Sequence, residues 1–312
     1  MEKINKLKNK FFKLNLDGYL IPKNDEFFNE YVPFHQDDLQ YITNFSGSYG
    51  LALILKKSNF LFVDGRYTIQ ANIESGRNFK VLPLPLLIKK NSFRFQNKRI
   101  GFDPKLFNEK FIKRFSKNLG IECIAINNNL VKLVKKNKIN SKKKKNFYVL
   151  DDTVTGKSCS GKIENLKKYL FKNKIDIMLI TSSENIAWLL NIRGHDSNFS
   201  PLPNCYLIID NKMRIFLFCD LDKIDSKFEK KLSFIQILKI SELENFLQRI
   251  KSQNFLIDDL TCSIFYKNII EKYNNISLKI DPIYFFKSQK NNIELKNTKK
   301  IHEYDGAALT KF

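Results

Sequence analysis

One order of segments occurs twice along the chain, at an offset of about 155 residues. In the first copy a basic amphipathic stretch, about Lys3 to Leu14, leads into the apolar run Gly18-Tyr19-Leu20-Ile21. In the second, Ile163 to Asn173 leads into Ile177-Met178-Leu179-Ile180. Tyr41-Ile42-Thr43-Asn44-Phe45-Ser46-Gly47 then parallels Trp188-Leu189-Leu190-Asn191-Ile192-Arg193-Gly194. Paired β-rich runs follow: Gly50 to Leu55 with Asn59 to Val63, and Cys205 to Ile209 with Arg214 to Phe218. Lys57-Ser58-Asn59 and Asp210-Asn211-Lys212 break these runs as hairpin turns. Each copy closes with strand, helix, strand: Arg99 to Asp103 with Ile121 to Ile126, and Phe255 to Asp258 with Ile276 to Ile280. Strands alternating with helices predict an α/β fold in which each copy is a mixed sheet flanked by helices. A repeat this long is a duplicated domain and not a solenoid unit. The two copies should therefore share one topology, with Asn44 matching Asn191 and Gly47 matching Gly194.

A chain of 312 residues with 43% hydrophobic content can bury two ordinary cores. No apolar run approaches the ~20 residues that span a bilayer, and Met1 to Asn15 has lysines but no apolar signal core, so no membrane partner and a cytoplasmic location are expected. The five cysteines are scattered and form no C-x-x-C pair, which predicts reduced, mostly buried thiols. A net charge of +22 raises the question of nucleic acid, yet the cations are mainly lysine and not the arginine suited to bidentate contacts. No nucleic-acid partner is expected, and the run Lys132 to Lys145 reads as a solvated linker. Thr155-Gly156-Lys157-Ser158 resembles half of a phosphate-binding loop, but Asp151 stands where the first glycine is needed. Ser158 or Ser160 is instead expected to cap a helix beginning near Lys162. At the C-terminal end Ile301, Tyr304, Ala308 and Phe312 fall on one face of a helix, and nothing in the sequence indicates what covers them.

Three stretches resemble known proteins. Asp17-Gly18, Asp25-Glu26, Glu30-Tyr31-Val32-Pro33, Phe45-Ser46-Gly47-Ser48-Tyr49-Gly50 and Phe62-Val63-Asp64-Gly65-Arg66-Tyr67 occur in order and almost without gaps. Trp188-Leu189-Leu190-Asn191-Ile192-Arg193-Gly194-His195-Asp196 followed by Pro201 forms the second stretch, and Lys290 to Leu309 the third. Together they resemble the Xaa-Pro aminopeptidases, the aminopeptidase P branch of the creatinase-like pita-bread metalloenzymes. The resemblance implies two tandem creatinase-like N-terminal domains at 1–149 and 150–286, then the first helix of a truncated pita-bread domain at 287–312. It further implies a hydrolase of metallopeptidase family M24 that removes the residue preceding proline, using two manganese ions that share a hydroxide. The family's ligands, two aspartates, a histidine and two glutamates, correspond to positions beyond Phe312. No catalytic or metal-binding residue can therefore be assigned in this chain, which alone is expected to be inactive and without a cofactor. Its expected partner is a second copy, or a catalytic domain or chain docked on the C-terminal helix, with peptide substrate bound only when that domain is present. The alternative is a stand-alone binding or assembly module.

The three histidines fall in separate segments. His35 reads as an exposed loop residue, and His302 with Asp305 as part of the last helix. Arg66 could clamp a carboxylate, although the simpler reading pairs it with a nearby acid after a strand end and a glycine turn. Arg193 and Asp196 are the stronger candidates, because by resemblance they lie near an active-site mouth or a dimer contact; His195 between them could do acid–base work, although the resemblance implies a variable position commonly held by a small polar residue.

Overall fold

The computed structural model describes residues 1–88, 95, 97–135 and 144–312. The chain divides into two compact units: Met1–Lys142 with Asp259–Lys267, and Lys143–Asp258 with Asn268–Phe312.

In the first unit, strands β1 (Gly18–Pro22), β2 (Gly50–Leu55), β3 (Asn59–Val63), β4 (Lys80–Pro83), β5 (Arg99–Phe102) and β6 (Glu122–Ala125) form one sheet. Its order is β4-β3-β2-β1-β5-β6. β1 runs antiparallel to β2 and parallel to β5, β2 is antiparallel to β3, and β4 and β6 add in parallel at the edges. Successive side chains of a strand point to opposite faces, and the sequence uses both. Tyr19, Ile21, Ala52, Ile54, Leu61 and Val63 pack on one face with Ile4, Leu7 and Phe11 of helix Glu2–Phe12. Leu20, Leu51, Leu53, Phe62, Ile100 and Phe102 pack on the other with Ile112, Phe115 and Leu119 of helix Glu109–Leu119. Both faces are covered, so the central strands read as continuous apolar runs.

After the two-residue β7 (Tyr148–Val149), the second unit repeats the plan. Its strands are β8 (Ile177–Ile180), β10 (Tyr206–Asp210), β11 (Ile215–Cys219), β12 (Gln236–Lys239), β13 (Asn254–Ile257) and β14 (Asn275–Leu278), while β9 (Ile192–Arg193) pairs with β7 outside the main sheet. The order β12-β11-β10-β8-β13-β14 matches the first sheet strand for strand, with the same directions. The turn asparagines also match: Asn44 and Asn191 both lie in the left-handed region, at φ 64° and 55°. Asparagine enters that conformation more readily than most residues that carry a side chain.

Several expectations are adjusted. The edge strands β4 and β12 were not foreseen; each alternates two exposed ends with half-buried centres and is too short and polar to stand out. The helix expected from Lys162 spans Cys159–Lys172 and is capped by Ser158, whose hydroxyl accepts from the Gly161 amide at 3.1 Å. Asp259–Lys267, expected within the second domain, belongs to the first unit. There the Ile264 amide donates to the Phe107 carbonyl at 2.9 Å, and the Ile264 side chain joins the core around Phe107. The last helix, Asn292–Lys311, groups with the second unit. Asn291 caps it and also donates to the Thr155 carbonyl at 2.9 Å, while Asn297 donates to that of Val154 at 3.1 Å.

Part of the lysine run, 136–143, lies outside the described residues; Lys144 makes surface ion pairs with Asp220 and Asp222 at 2.8 and 2.7 Å. None of the five cysteines is in a disulfide, and Cys205, Cys219 and Cys262 are buried. Burial pushes the Cys123, Cys159 and Cys219 thiols up to about 12, so they stay protonated at neutral pH. Among the described residues no helix is long and apolar enough to cross a membrane.

Candidate functional sites

In the first sheet, the chain leaves β1 toward one face, where helix Asp38–Thr43 packs, and leaves β5 toward the other, where helix Glu109–Leu119 packs. Connections that diverge from adjacent parallel strands leave a crevice at the strands' carboxyl ends. A cavity of about 560 Å³ lies there, lined by residues that follow β1, β3 and β5. Leu51, Leu106 and Phe107 form its buried floor, with Phe28, Leu84 and Phe111 half-buried beside them.

The walls are braced by polar contacts. The Asn24 amide donates to the Leu106 carbonyl at 3.0 Å, tying the loops after β1 and β5 together. The Asp25 carboxylate accepts from the Phe27 and Asn29 amides and the Asn29 side chain at 2.9 to 3.1 Å. Burial nonetheless raises its pKa above the ordinary carboxylate value. Lys23 and Asp37 form a buried ion pair, and Asp37 also caps helix Asp38–Thr43 by accepting from the Gln40 amide. Arg66 stands at the rim. Asp64 accepts from its backbone amide at 3.0 Å and from its Nε at 2.8 Å, and the guanidinium lies 5.4 Å from the Tyr67 ring centre. Ser48 donates to Glu30 at 3.4 Å and shares a 2.9 Å hydrogen bond with the Tyr67 hydroxyl.

In the second unit, Arg193 ends β9 and His195 and Asp196 lie in the turn that follows, but each has a different environment. Arg193 is half-buried and donates to the carbonyls of Ala187 and Ile192 at 3.1 and 2.8 Å. His195 is exposed, its ring centre 5.6 Å from that of Tyr148. Asp196 accepts from the Asn204 amide at 2.7 Å and from Lys223 Nζ at 2.6 Å. Asp196 thus spends both carboxylate oxygens holding the turn, whereas Arg193 spends one terminal nitrogen on backbone carbonyls. His35 and His302 are exposed, the first in a loop and the second on the last helix.

Sequence reasoning missed two buried polar centres nearby. Lys162, 1% exposed, donates to the Trp188 carbonyl at 2.8 Å and to Asn191 Oδ1 at 2.6 Å, with its ammonium 4.1 Å from the Trp188 ring centre. Burial brings its pKa down to about 8. Asn191 in turn donates to the Lys157 carbonyl at 3.0 Å and the Thr155 hydroxyl at 3.1 Å. Trp188 donates its indole N–H to Glu294 at 3.2 Å, holding the start of the last helix. A lysine in an amphipathic pattern gives no sign of burial, so only the asparagine turn could have pointed here.

The second centre bridges the ends of β8 and β13. Asp281 accepts from the Asn185 amide at 2.7 Å, its own backbone N–H donates to Asp258 at 2.8 Å, and Tyr284 donates to Ser182 at 3.3 Å. Burial pushes the Asp281 carboxyl up to about 6. The folded chain therefore holds this proton more tightly than the unfolded chain does. Its contribution makes stability fall as pH rises from about 4 to 6, by roughly 3 kcal/mol in all. Asp281→Asn should flatten that part of the stability curve, as measured by urea midpoints at pH 4, 5, 6 and 7. An unchanged slope would show that Asp281 titrates normally.

Among the described residues no three His, Cys, Asp or Glu side chains gather as a metal site, so the residues present do not fit a two-metal centre. The comparisons agree with the duplicated architecture. Residues 3–133 and 138–294 each match a family described as Creatinase/Prolidase N-terminal domain. The whole chain is 28% identical to Xaa-Pro aminopeptidase 1 of Dictyostelium discoideum, covering 52% of it, and 26% identical to a probable Xaa-Pro aminopeptidase P of Laccaria bicolor, covering 50%. In structure it is similar to X-prolyl aminopeptidase from Caenorhabditis elegans, described as a cytosolic enzyme with a di-nuclear active site. The TM-score is 0.84 at 26% identity, over 99% of this chain and 55% of that one. The chain spans about half the length of the curated relatives it matches. With the same sheet built twice and both halves matched, the chain belongs to the creatinase/prolidase N-terminal domain family and is Xaa-Pro aminopeptidase-like.

Proposed function

We propose that residues 1–286 are the non-catalytic N-terminal region of an Xaa-Pro aminopeptidase, and that 287–312 begin its catalytic domain. The tandem pair of matched N-terminal domains carries this reading, together with whole-chain similarity to proteins bearing that name. The complete enzyme would remove the residue preceding proline, with two manganese ions activating a water and polarising the scissile carbonyl. None of the residues described here is assigned to that step. We place the protein in the cytoplasm, a reading supported by the description of the Caenorhabditis elegans relative as cytosolic. Ile301, Tyr304 and Ala308 are exposed on the last helix and Phe312 at its end, and we place a second copy or the catalytic domain against them.

The purified chain should release no N-terminal residue from a proline-containing peptide, with or without added Mn²⁺. Manganese-dependent turnover above a metal-free control would place the chemistry within residues 1–312 and overturn the assignment.

A further inference from the structure

The crevice in the first unit pairs two opposite charges above an apolar floor. Arg66 uses Nε on Asp64, and among the described residues its two terminal nitrogens have no hydrogen-bond partner. These are the atoms that grip a carboxylate in a forked, two-bond geometry. Glu30 lines the same cavity and is exposed. One of its oxygens is steadied by Ser48, and the other has no hydrogen-bond partner among the described residues. Phe28, Leu106, Phe107 and Phe111 line the same cavity.

We propose that this crevice binds a small zwitterion with an apolar side chain. Its carboxylate would sit on Arg66, its ammonium on Glu30 and its side chain on the phenylalanine-rich floor. That chemistry belongs to a free apolar amino acid and equally to a short apolar peptide. The cavity of about 560 Å³ has room for either and falls within the usual range of ligand pockets. The duplicate unit supplies a contrast. At the same end of its sheet, the residues following β8 and β13 are bridged by Asp281 and Tyr284 through Asn185, Asp258 and Ser182. The first copy ties its own two loops by the Asn24–Leu106 hydrogen bond and keeps beside it a cavity lined by both charges. A free amino acid is also what the proposed reaction releases, but the site rests on its own geometry and its test involves no turnover.

Isothermal titration calorimetry of the full chain with leucine, leucyl-leucine, N-acetyl-leucine and leucinamide tests the assignment. Saturable one-to-one binding is expected for leucine or leucyl-leucine, and the tighter of the two identifies the source. N-acetyl-leucine lacks the ammonium and leucinamide the carboxylate, so each should bind at least about ten-fold more weakly than leucine, a loss of about 1.4 kcal/mol or more. Arg66→Gln and Glu30→Gln alter exposed residues, so both variants should keep the parent melting temperature while weakening binding about ten-fold or more. The proposal fails if neither zwitterion binds, if the blocked compounds bind as well as leucine, or if the Arg66→Gln/Glu30→Gln double variant binds like the parent.

Discussion

Replacing Asn191 by leucine should destabilise the second unit by about 4 kcal/mol, among the largest losses a single substitution produces. Two effects add. At φ 55° the backbone is left-handed, which costs an ordinary side chain about 1–2 kcal/mol. The lost amide also removes one hydrogen bond each from the buried Lys162 ammonium, the Lys157 carbonyl and the Thr155 hydroxyl, at about 0.5–1.5 kcal/mol apiece. Glycine at 191 should recover only the backbone part, so Asn191→Gly should be about 1 kcal/mol more stable than Asn191→Ala. Trp188, the only tryptophan, lies against Lys162 and reports unfolding through its own emission. Asn44 has the same backbone but an exposed side chain, and Asn44→Gly should be close to neutral. Equal losses at 44 and 191 would show that backbone conformation alone matters and that the buried network contributes little.

Gly18→Ala should be comparably damaging in the first unit, at about 3 kcal/mol or more. A Cβ at Gly18 would stand 2.5 Å from the Ile54 carbonyl oxygen and 2.6 Å from Leu55 Cδ2. The first of these is backbone of the neighbouring strand, paired in register with β1, so it cannot turn aside as a side chain would. β1 lies inside the sheet with β2 and β5 on either side, and opening it disturbs both cores. Gly65, with nothing within 4 Å of its would-be Cβ and no positive φ, is the control. Gly65→Ala should leave the denaturation midpoint unchanged or slightly raised. If Gly18→Ala unfolds at the parent midpoint, the close approach of β1 and β2 is not as tight as described.

The central strands were legible because they are buried on both faces and bounded by turn residues, as in Gly50 to Leu55 and Ile177 to Ile180. Duplication made them more secure, since each run had a counterpart at the same place in the order. The edge strands β4 and β12 escaped because a short strand with one neighbour needs few apolar residues, and Lys80 and Lys239 resemble loop residues. The return of Asp259–Lys267 to the first unit was invisible for a different reason. Its apolar residues would suit either core, and nothing in the composition marks where the chain changes allegiance. The named site residues were legible as motifs but not as chemistry. Arg193 and Asp196 stand out in sequence, but not the bonds by which the fold holds the Asp196 carboxylate and one end of the Arg193 guanidinium. Arg66 looked like half of a simple surface pair, and only the cavity and the free end of its guanidinium give it a further role.

The seating of Ile264 beside Phe107 bears on how such a protein can be made and inherited. A ribosome releases the six strands of the first unit long before it reaches residue 259. Until then the patch around Phe107 lacks its last apolar neighbour, and the hydrogen bonds from Ile264 and Phe265 to Phe107 and Pro104 cannot form. The N-terminal unit therefore emerges unfinished and is completed only when most of the second has been translated. For the same reason, a gene break at the lysine run would not release two independent modules. The duplicated domains look like beads on a string in sequence, but the second bead carries a piece of the first, and recombination would have to move them together.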